Sequence, residues 1–87
     1  MTDDVESRRR RAAFRAGHRG TKEMDWLLGR FADAHIATMT EESLTQFERM
    51  LLLPDPELHD MIVYPEIQAA GEFAEFVRRM RMFHGLQ

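Results

Sequence analysis

The sequence has no cysteine and few residues that interrupt regular structure. Its 87 residues include no Cys, three Pro and five Gly. Without cysteine, the chain has no disulfides, no thiolate metal sites and no cysteine nucleophile. The absence of cysteine also suits a reducing compartment.

Long apolar runs are also missing. Uninterrupted apolar stretches reach only four residues, as in Met50 to Leu53, whereas a membrane-spanning helix needs about 20. The segment from Met1 to Ser7 is acidic and polar, unlike a secretory signal or a transit peptide. We therefore expect no direct membrane insertion and a location in the bacterial cytoplasm. The mitochondrial matrix is less favoured, because no transit peptide is present.

The length predicts a single domain over residues 1–87, with about residues 1–7 flexible and the last few residues frayed. So short a chain buries only about 60–65% of the surface that it exposes when unfolded. A deep catalytic cleft is therefore not expected, and we predict a protein that acts through its outer surface and is not an enzyme.

Charge is unevenly distributed along the chain. Residues 1–30 hold eight Lys or Arg against five Asp or Glu, a balance of +3, and residues 31–87 hold four against ten, a balance of −6. Such polarity favours association with a charged protein partner. The acidic part argues against a partner that is a nucleic acid.

Apolar residues recur at helical spacing, and no alternating strand pattern of useful length is present. The sequence therefore predicts an all-α fold, a small five-helix bundle. The five predicted helices are about Asp4 to Ala16, about Thr21 to Ala37, Thr40 to the residues before Pro54, Asp55 to the residues before Pro65, and about Ala70 to Phe83. Gly17 is the predicted C-cap of the first helix and Thr40 the N-cap of the third, while Asp55 is the predicted N-cap of the fourth, with Pro56 as its first helical residue. The predicted buried side chains include Phe31, Phe47 and Phe76.

The start of the second helix carries an unusual set of charges. Gly20 is the predicted N-cap, which places Glu23 at the third helical position, where a carboxylate is favourable. Arg19 and Lys22 lie at the partly positive end of the helix, and as an i, i+4 pair Arg19 and Glu23 would contribute only about 0.3–0.5 kcal/mol. Because these cations have no evident stabilising role, we predict that they form, together with Gly20, Glu23 and Asp25, a surface that binds another macromolecule.

Four successive arginines begin at Arg8 and end at Arg11. They form either a solvated helix face or a clamp for carboxylates and phosphates. Successive helical positions are about 100° apart, so the four cannot all face one partner. We include Arg8 and Arg11 among the candidate partner-binding residues.

The candidate catalytic and metal-binding residues are sparse. The four histidines form no compact metal-ligand spacing, so no metal site is predicted. A small hydrolase using Asp55, His59 and Asp60 is a remote alternative, because His59 and Asp60 are adjacent and should diverge on a helix. Another alternative is a helical adaptor or antitoxin-like module that binds a different client through its basic first helix.

Several short motifs together resemble a known family. Arg19, Gly20 and Glu23 match an Arg-Gly-x-x-Glu motif, and Met24-Asp25 with the run from Leu27 to Asp33 continues the similarity. The segments Phe47-Glu48-Arg49 and Asp55-Pro56-Glu57-Leu58 extend it. In this order and spacing, over roughly residues 8–62, the chain resembles the SdhE (YgfY-type) FAD assembly factors and the mitochondrial succinate dehydrogenase assembly factor 2.

The resemblance implies a five-helix, chaperone-like assembly factor that is monomeric when free. Its partner would be the flavoprotein subunit of succinate dehydrogenase or of a related fumarate reductase, in which it promotes covalent attachment of FAD to a histidine. FAD would belong to the partner, with no cofactor bound tightly here. Arg19, Gly20 and Glu23 would form the contact motif, with Asp25 as a weaker candidate. The resemblance gives no role to the helix after Pro65.

Overall fold

Five α-helices form the fold in a computed structural model that describes residues 4–64, 66–67 and 71–86. None of the residues in these ranges lies in a β-strand. The predicted all-α class and the number of helices are therefore confirmed. The helices are α1 (Val5–Ala16), α2 (Lys22–His35), α3 (Glu41–Met50), α4 (Asp55–Val63) and α5 (Ala74–Phe83).

Side-chain caps define where α1 and α3 begin. An Asp4 carboxylate oxygen accepts a hydrogen bond from the backbone N–H of Ser7 at 2.7 Å. The Thr40 hydroxyl accepts from the backbone N–H of Ser43 at 3.0 Å. Each cap satisfies one of the N–H groups that the first turn of a helix leaves unpaired. The predicted cap at Thr40 is confirmed, and so is Gly17 as the C-cap of α1.

The start of α4 is shifted by one residue from the prediction. Pro54 is the N-cap, so Asp55 is the first helical residue and Pro56 the second. Proline is tolerated at both positions, because the first-turn N–H groups have no partner inside the helix. The turn between α3 and α4 spans Leu51 to Pro54, and its Leu51 and Leu53 carbonyls accept hydrogen bonds from outside these two helices.

Two further helix boundaries also differ. α2 ends at His35 rather than Ala37, and the chain continues as a 3-10 turn over Ile36–Thr38. α5 begins at Ala74 after a second 3-10 turn, Gly71–Phe73. The predicted start at about Ala70 lies outside the described residues, as do positions 1–3 of the segment expected to be flexible.

Three phenylalanine rings from different helices form the centre of the core. The Phe47 ring lies 6.3 Å from that of Phe31 on α2 and 5.7 Å from that of Phe76 on α5. The Arg79 guanidinium lies 5.6 Å from the Phe76 ring centroid, within cation–π range. Helix α5, for which the family resemblance implied no role, therefore closes the core. Other large side chains that are fully buried are Leu28, Leu44, Met50, Leu58, Ile62 and Met80.

Candidate partner-binding surface

The connection between α1 and α2 turns at a glycine that faces solvent. Gly20 has φ +118, a backbone conformation that L-residues rarely adopt, and a Cβ added there would meet no atom within 4 Å. Thr21, not Gly20, caps α2, because its hydroxyl accepts from the Met24 backbone N–H at 3.2 Å. The predicted glycine cap was wrong, since glycine has no side chain to accept that bond. Glu23 is therefore the second helical residue rather than the third.

The Arg19 side chain points into the protein. Its Nε donates to Asp55 Oδ1 at 2.8 Å, and its two terminal nitrogens donate to the carbonyls of Leu51 at 2.5 Å and Leu53 at 2.8 Å. Only 12% of the side chain is exposed. The planar guanidinium thus satisfies carbonyls that the end of α3 leaves unpaired.

These contacts correct one expectation about Arg19. Its presumed lack of a stabilising role was wrong, because the side chain ties the α1–α2 connection to the α3–α4 turn. The backbone N–H of Arg19 also donates to the Asp25 carboxylate, so Asp25 helps to hold the same connection. Whether either residue also contacts a partner remains a prediction.

Glu23 lies at the surface beside α4. Its side chain is 62% exposed, and Glu23 Oε1 lies 3.3 Å from Nε2 of His59. The other ring nitrogen, His59 Nδ1, lies 3.2 Å from Asp60 Oδ1. The expectation that His59 and Asp60 diverge was therefore wrong, because both side chains are long enough to bend across the 100° between successive helical positions.

The two carboxylates change the pKa of His59. The hydrogen bond with Asp60 raises the pKa above its usual value of 6.5, and the nearby Glu23 carboxylate raises it further. Burial acts in the opposite direction, since it disfavours the charged ring, but it does not cancel the increase. His59 is accordingly more easily protonated than an isolated histidine.

A shallow cleft of about 240 Å³ lies where the front of α2 meets the start of α4. Met24 and Pro56 contribute apolar wall, while Glu23 and His59 stand on opposite helices. Asp55 also lines the cleft, but its carboxylate is engaged by Arg19. This engagement removes Asp55 from the free carboxylates that the hydrolase alternative required.

The remaining candidates lie in two different environments. Lys22 is exposed, and its ammonium makes no hydrogen bond or ion pair with any residue that the structure describes. Arg8 instead packs toward α3, where it donates to Glu48 at 2.7 Å and to Thr45 at 2.9 Å. Arg11 is exposed on α1. The arginine run therefore divides between an internal contact and the surface, as helical geometry predicts.

Comparison with known protein families identifies the group to which the chain belongs. Residues 10–84 match the model of the family Sdh5, described as flavinator of succinate dehydrogenase. This chain is a member of the Sdh5 family. The match extends beyond the predicted limit near residue 62 and includes α5, which is consistent with the part of α5 in closing the core.

Individual Sdh5 relatives are similar along most of the chain. The FAD assembly factor SdhE of Acetobacter pasteurianus is 44% identical in an alignment of 87 positions, which covers 95% of this chain and 80% of the relative. The mitochondrial succinate dehydrogenase assembly factor 2 of Dictyostelium discoideum is 30% identical over 93% of this chain, which spans only 57% of that relative. No solved structure matches the chain.

Two residues of the site, Asp55 and His59, were not predicted to lie beside the Arg-Gly-x-x-Glu motif. Asp55 binds Arg19 and His59 contacts Glu23, but the sequence suggested a functional role for these two residues only in the hydrolase alternative. Both contacts join residues 36 positions apart in sequence, so local patterns could not predict them. The Asp55-Pro56 helix start was the only local feature that pointed to this region.

The described part of the chain contains no cluster of three or more His, Cys, Asp or Glu side chains suited to hold a metal ion. Nor does any described helix have the length and apolar character that crossing a membrane requires.

Proposed function

We propose that this protein binds the flavoprotein subunit of succinate dehydrogenase, or of a related fumarate reductase, and promotes covalent attachment of FAD to a histidine of that subunit. Membership of the Sdh5 family over residues 10–84 supports the proposal. The names of its relatives, which are assembly factors rather than enzymes, support the same class of function. Under this proposal the FAD is the partner's, and this chain, a small helical bundle without a dinucleotide fold, holds no cofactor tightly.

The observation that carries the proposal is the pairing of an exposed glycine with an exposed carboxylate at the front of α2. Gly20 offers a surface that a partner's backbone can approach closely, because no side chain stands in the way. Glu23, three residues later, presents its carboxylate to solvent. Arg19 ties the α1–α2 connection to the α3–α4 turn through Asp55 and the Leu51 carbonyl. The partner would therefore meet a surface that is already ordered.

The division of work between the two proteins follows from this geometry. FAD and the partner's histidine supply the bond-forming chemistry. This chain would hold the FAD-bearing domain of the partner in the arrangement in which histidine and flavin meet, and positioning of this kind has large effects on rate. Glu23 and Lys22 would contact the partner, whereas Arg19 and Asp25 would keep the α1–α2 connection in shape.

Covalent flavin measured in the partner tests the proposal. The flavoprotein subunit is produced with and without this protein, and covalently bound flavin is read as fluorescence of the denatured subunit. We expect covalent flavin to rise when this protein is present. Equal covalent flavin in both samples, or co-purification with a client that carries no flavin, would overturn the proposal in favour of the adaptor alternative.

A matched pair of variants tests the assigned surface. Glu23→Ala and Glu42→Ala each remove an exposed glutamate from the second position of a helix capped by threonine, in α2 and α3 respectively. We expect only Glu23→Ala to lower covalent flavin. Normal flavinylation by Glu23→Ala would show that the surface is wrongly assigned even if the function is right.

We also propose that the protein acts in the bacterial cytoplasm and that it is a monomer when the partner is absent. Analytical ultracentrifugation of the free protein at micromolar concentration checks the second point, since a monomer has a mass of 10.2 kDa. A concentration-dependent increase toward twice this mass would contradict it.

A further inference from the structure

The His59 ring lies between two carboxylates and contacts one with each nitrogen. Nε2 is 3.3 Å from Glu23 Oε1, and Nδ1 is 3.2 Å from Asp60 Oδ1. The first contact joins α4 to α2, so it depends on the tertiary packing of the two helices. His59 therefore controls the environment of the same glutamate that the proposed function assigns to partner binding.

Only the protonated ring can satisfy both contacts. A neutral imidazole has one N–H donor and one acceptor nitrogen, whereas an imidazolium has two donors. In the neutral state, one of the two carboxylates faces a nitrogen lone pair instead of a hydrogen. The Asp60 contact joins adjacent residues and has hydrogen-bond geometry, whereas the Glu23 contact is an ion pair between two helices. Deprotonation should therefore leave the Asp60 contact in place and release Glu23.

Other groups near the ring do not take over this role. Asp55 lines the same cleft, but its carboxylate is held by Arg19 at 2.8 Å. Tyr64 packs edge-on against the ring, at 5.8 Å between ring centroids. Among the described residues around His59, Glu23 and Asp60 are thus the groups that respond to its charge.

We propose that His59 is a positioning residue of the partner-binding surface: its protonated ring holds the Glu23 carboxylate in the orientation that the partner binds, and deprotonation releases it. This inference rests on the proposed function. Glu23 remains 62% exposed while it contacts His59. The contact therefore orders the carboxylate without removing it from a partner's reach.

The expected change in partner affinity follows from the conformational freedom that the Glu23 side chain loses on binding. A released Glu23 samples several rotamers, and fixing one such side chain at an interface lowers affinity by about two- to tenfold. Affinity for the partner should therefore be highest when His59 is protonated. It should decline as the pH rises through the elevated pKa of His59.

The test compares wild type with His59→Ala from pH 6 to pH 8.5. Affinity is measured for the flavoprotein subunit of succinate dehydrogenase that lacks covalently attached FAD. Dividing the two affinities at each pH cancels titration of the partner itself. We expect a ratio of about two to ten at pH 6 that falls to about one at pH 8.5. His59→Lys, which keeps a cation throughout this range, should bind with little dependence on pH.

Two further measurements separate positioning from a structural role. In a Glu23→Gln background, His59→Ala should have no additional effect on affinity. In the free protein, the pKa of His59 followed by NMR should fall when Glu23 becomes Gln. A packing defect alone would lower affinity by the same factor at every pH.

The outcomes distinguish the two proposals. Normal wild-type binding with a ratio that does not change with pH overturns the role of His59 and leaves the proposed function intact. An unchanged His59 pKa in Glu23→Gln does the same. Failure of the wild-type protein to bind the subunit at any pH overturns the proposed function and this inference with it.

Discussion

A Cβ atom added to Gly29 would lie 3.0 Å from the Cα atom of Gly17. Gly29 is buried in the middle of α2, and Gly17 is the C-cap of α1. The end of α1 and the middle of α2 therefore approach so closely that an added methyl group would be crowded. This contact sets the separation of the two helices whose connection carries Arg19 and Gly20.

Gly29→Ala should consequently destabilise the protein although alanine is the better helix former. The propensity gain of about 1 kcal/mol is opposed by overpacking, which costs about 1–3 kcal/mol, so we expect a net loss of about 1 kcal/mol. Thermal or urea unfolding measures it. The matched control is Gly17→Ala, whose Cβ meets its nearest atom at 3.6 Å and should be nearly neutral. Equal stability of the two variants would contradict the close approach.

Arg19→Ala should lower both stability and flavinylation. The change leaves two carbonyls and the Asp55 carboxylate without their donors. Loss of hydrogen bonds from largely buried groups costs about 1–3 kcal/mol, which urea unfolding would detect. Arg30→Ala, which removes an exposed arginine from α2, is the control and should change little. An Arg19→Ala protein as stable as wild type would refute the anchoring role.

Gly20→Ala should separate backbone strain from crowding. The position has φ +118 and open space around it, so destabilisation of about 1–3 kcal/mol should come from the backbone alone. Gly85→Ala is the matched control, because Gly85 also has positive φ and open surroundings. Both variants should lose stability in urea, but only Gly20→Ala should also reduce covalent flavin in the partner at temperatures where both remain folded. Equal flavinylation by the two variants would argue against contact at Gly20.

The stability of the free protein should also depend on the charge of His59. Its folded-state pKa is raised, so the stabilisation is fully present below the ordinary pKa near 6.5. It is lost as the pH rises through the folded-state value. Because the contacts are partly solvated, the change should be below about 1 kcal/mol.

Urea unfolding at pH 5.5 and pH 8.5 measures this change, and His59→Asn provides the comparison. The variant should remove the contribution of His59 while retaining a side chain of similar polarity. The measurements do not go below pH 5.5, where protonation of Asp4 and Glu75 would also reduce stability. The pKa values of both carboxylates are lowered, so they remain ionised at pH 5.5. A variant with the same pH dependence as wild type would contradict the assignment.

The site was only partly predictable, and Arg19 shows why. Its place in the Arg-Gly-x-x-Glu motif identified it as a residue of interest, but its position beside a helix N-terminus suggested a side chain without internal partners. Its actual acceptors, Leu51, Leu53 and Asp55, lie 32 to 36 residues away. No helical spacing connects residues at that separation. The glycine cap at Gly20 failed for a different reason, because the neighbouring Thr21 offers a hydroxyl acceptor that glycine lacks.

The sequence by itself determined the five helices and the residues that face the core. Apolar spacing and caps act between residues at most a few positions apart, so Thr40 and the buried stripe that includes Phe31, Phe47 and Phe76 could be predicted from local order. Tertiary structure alone decided that Arg19 turns inward, that Glu23 meets His59 and that Gly29 touches Gly17. Each of these contacts joins different parts of the bundle, and only the packing of whole helices sets the distance between such groups.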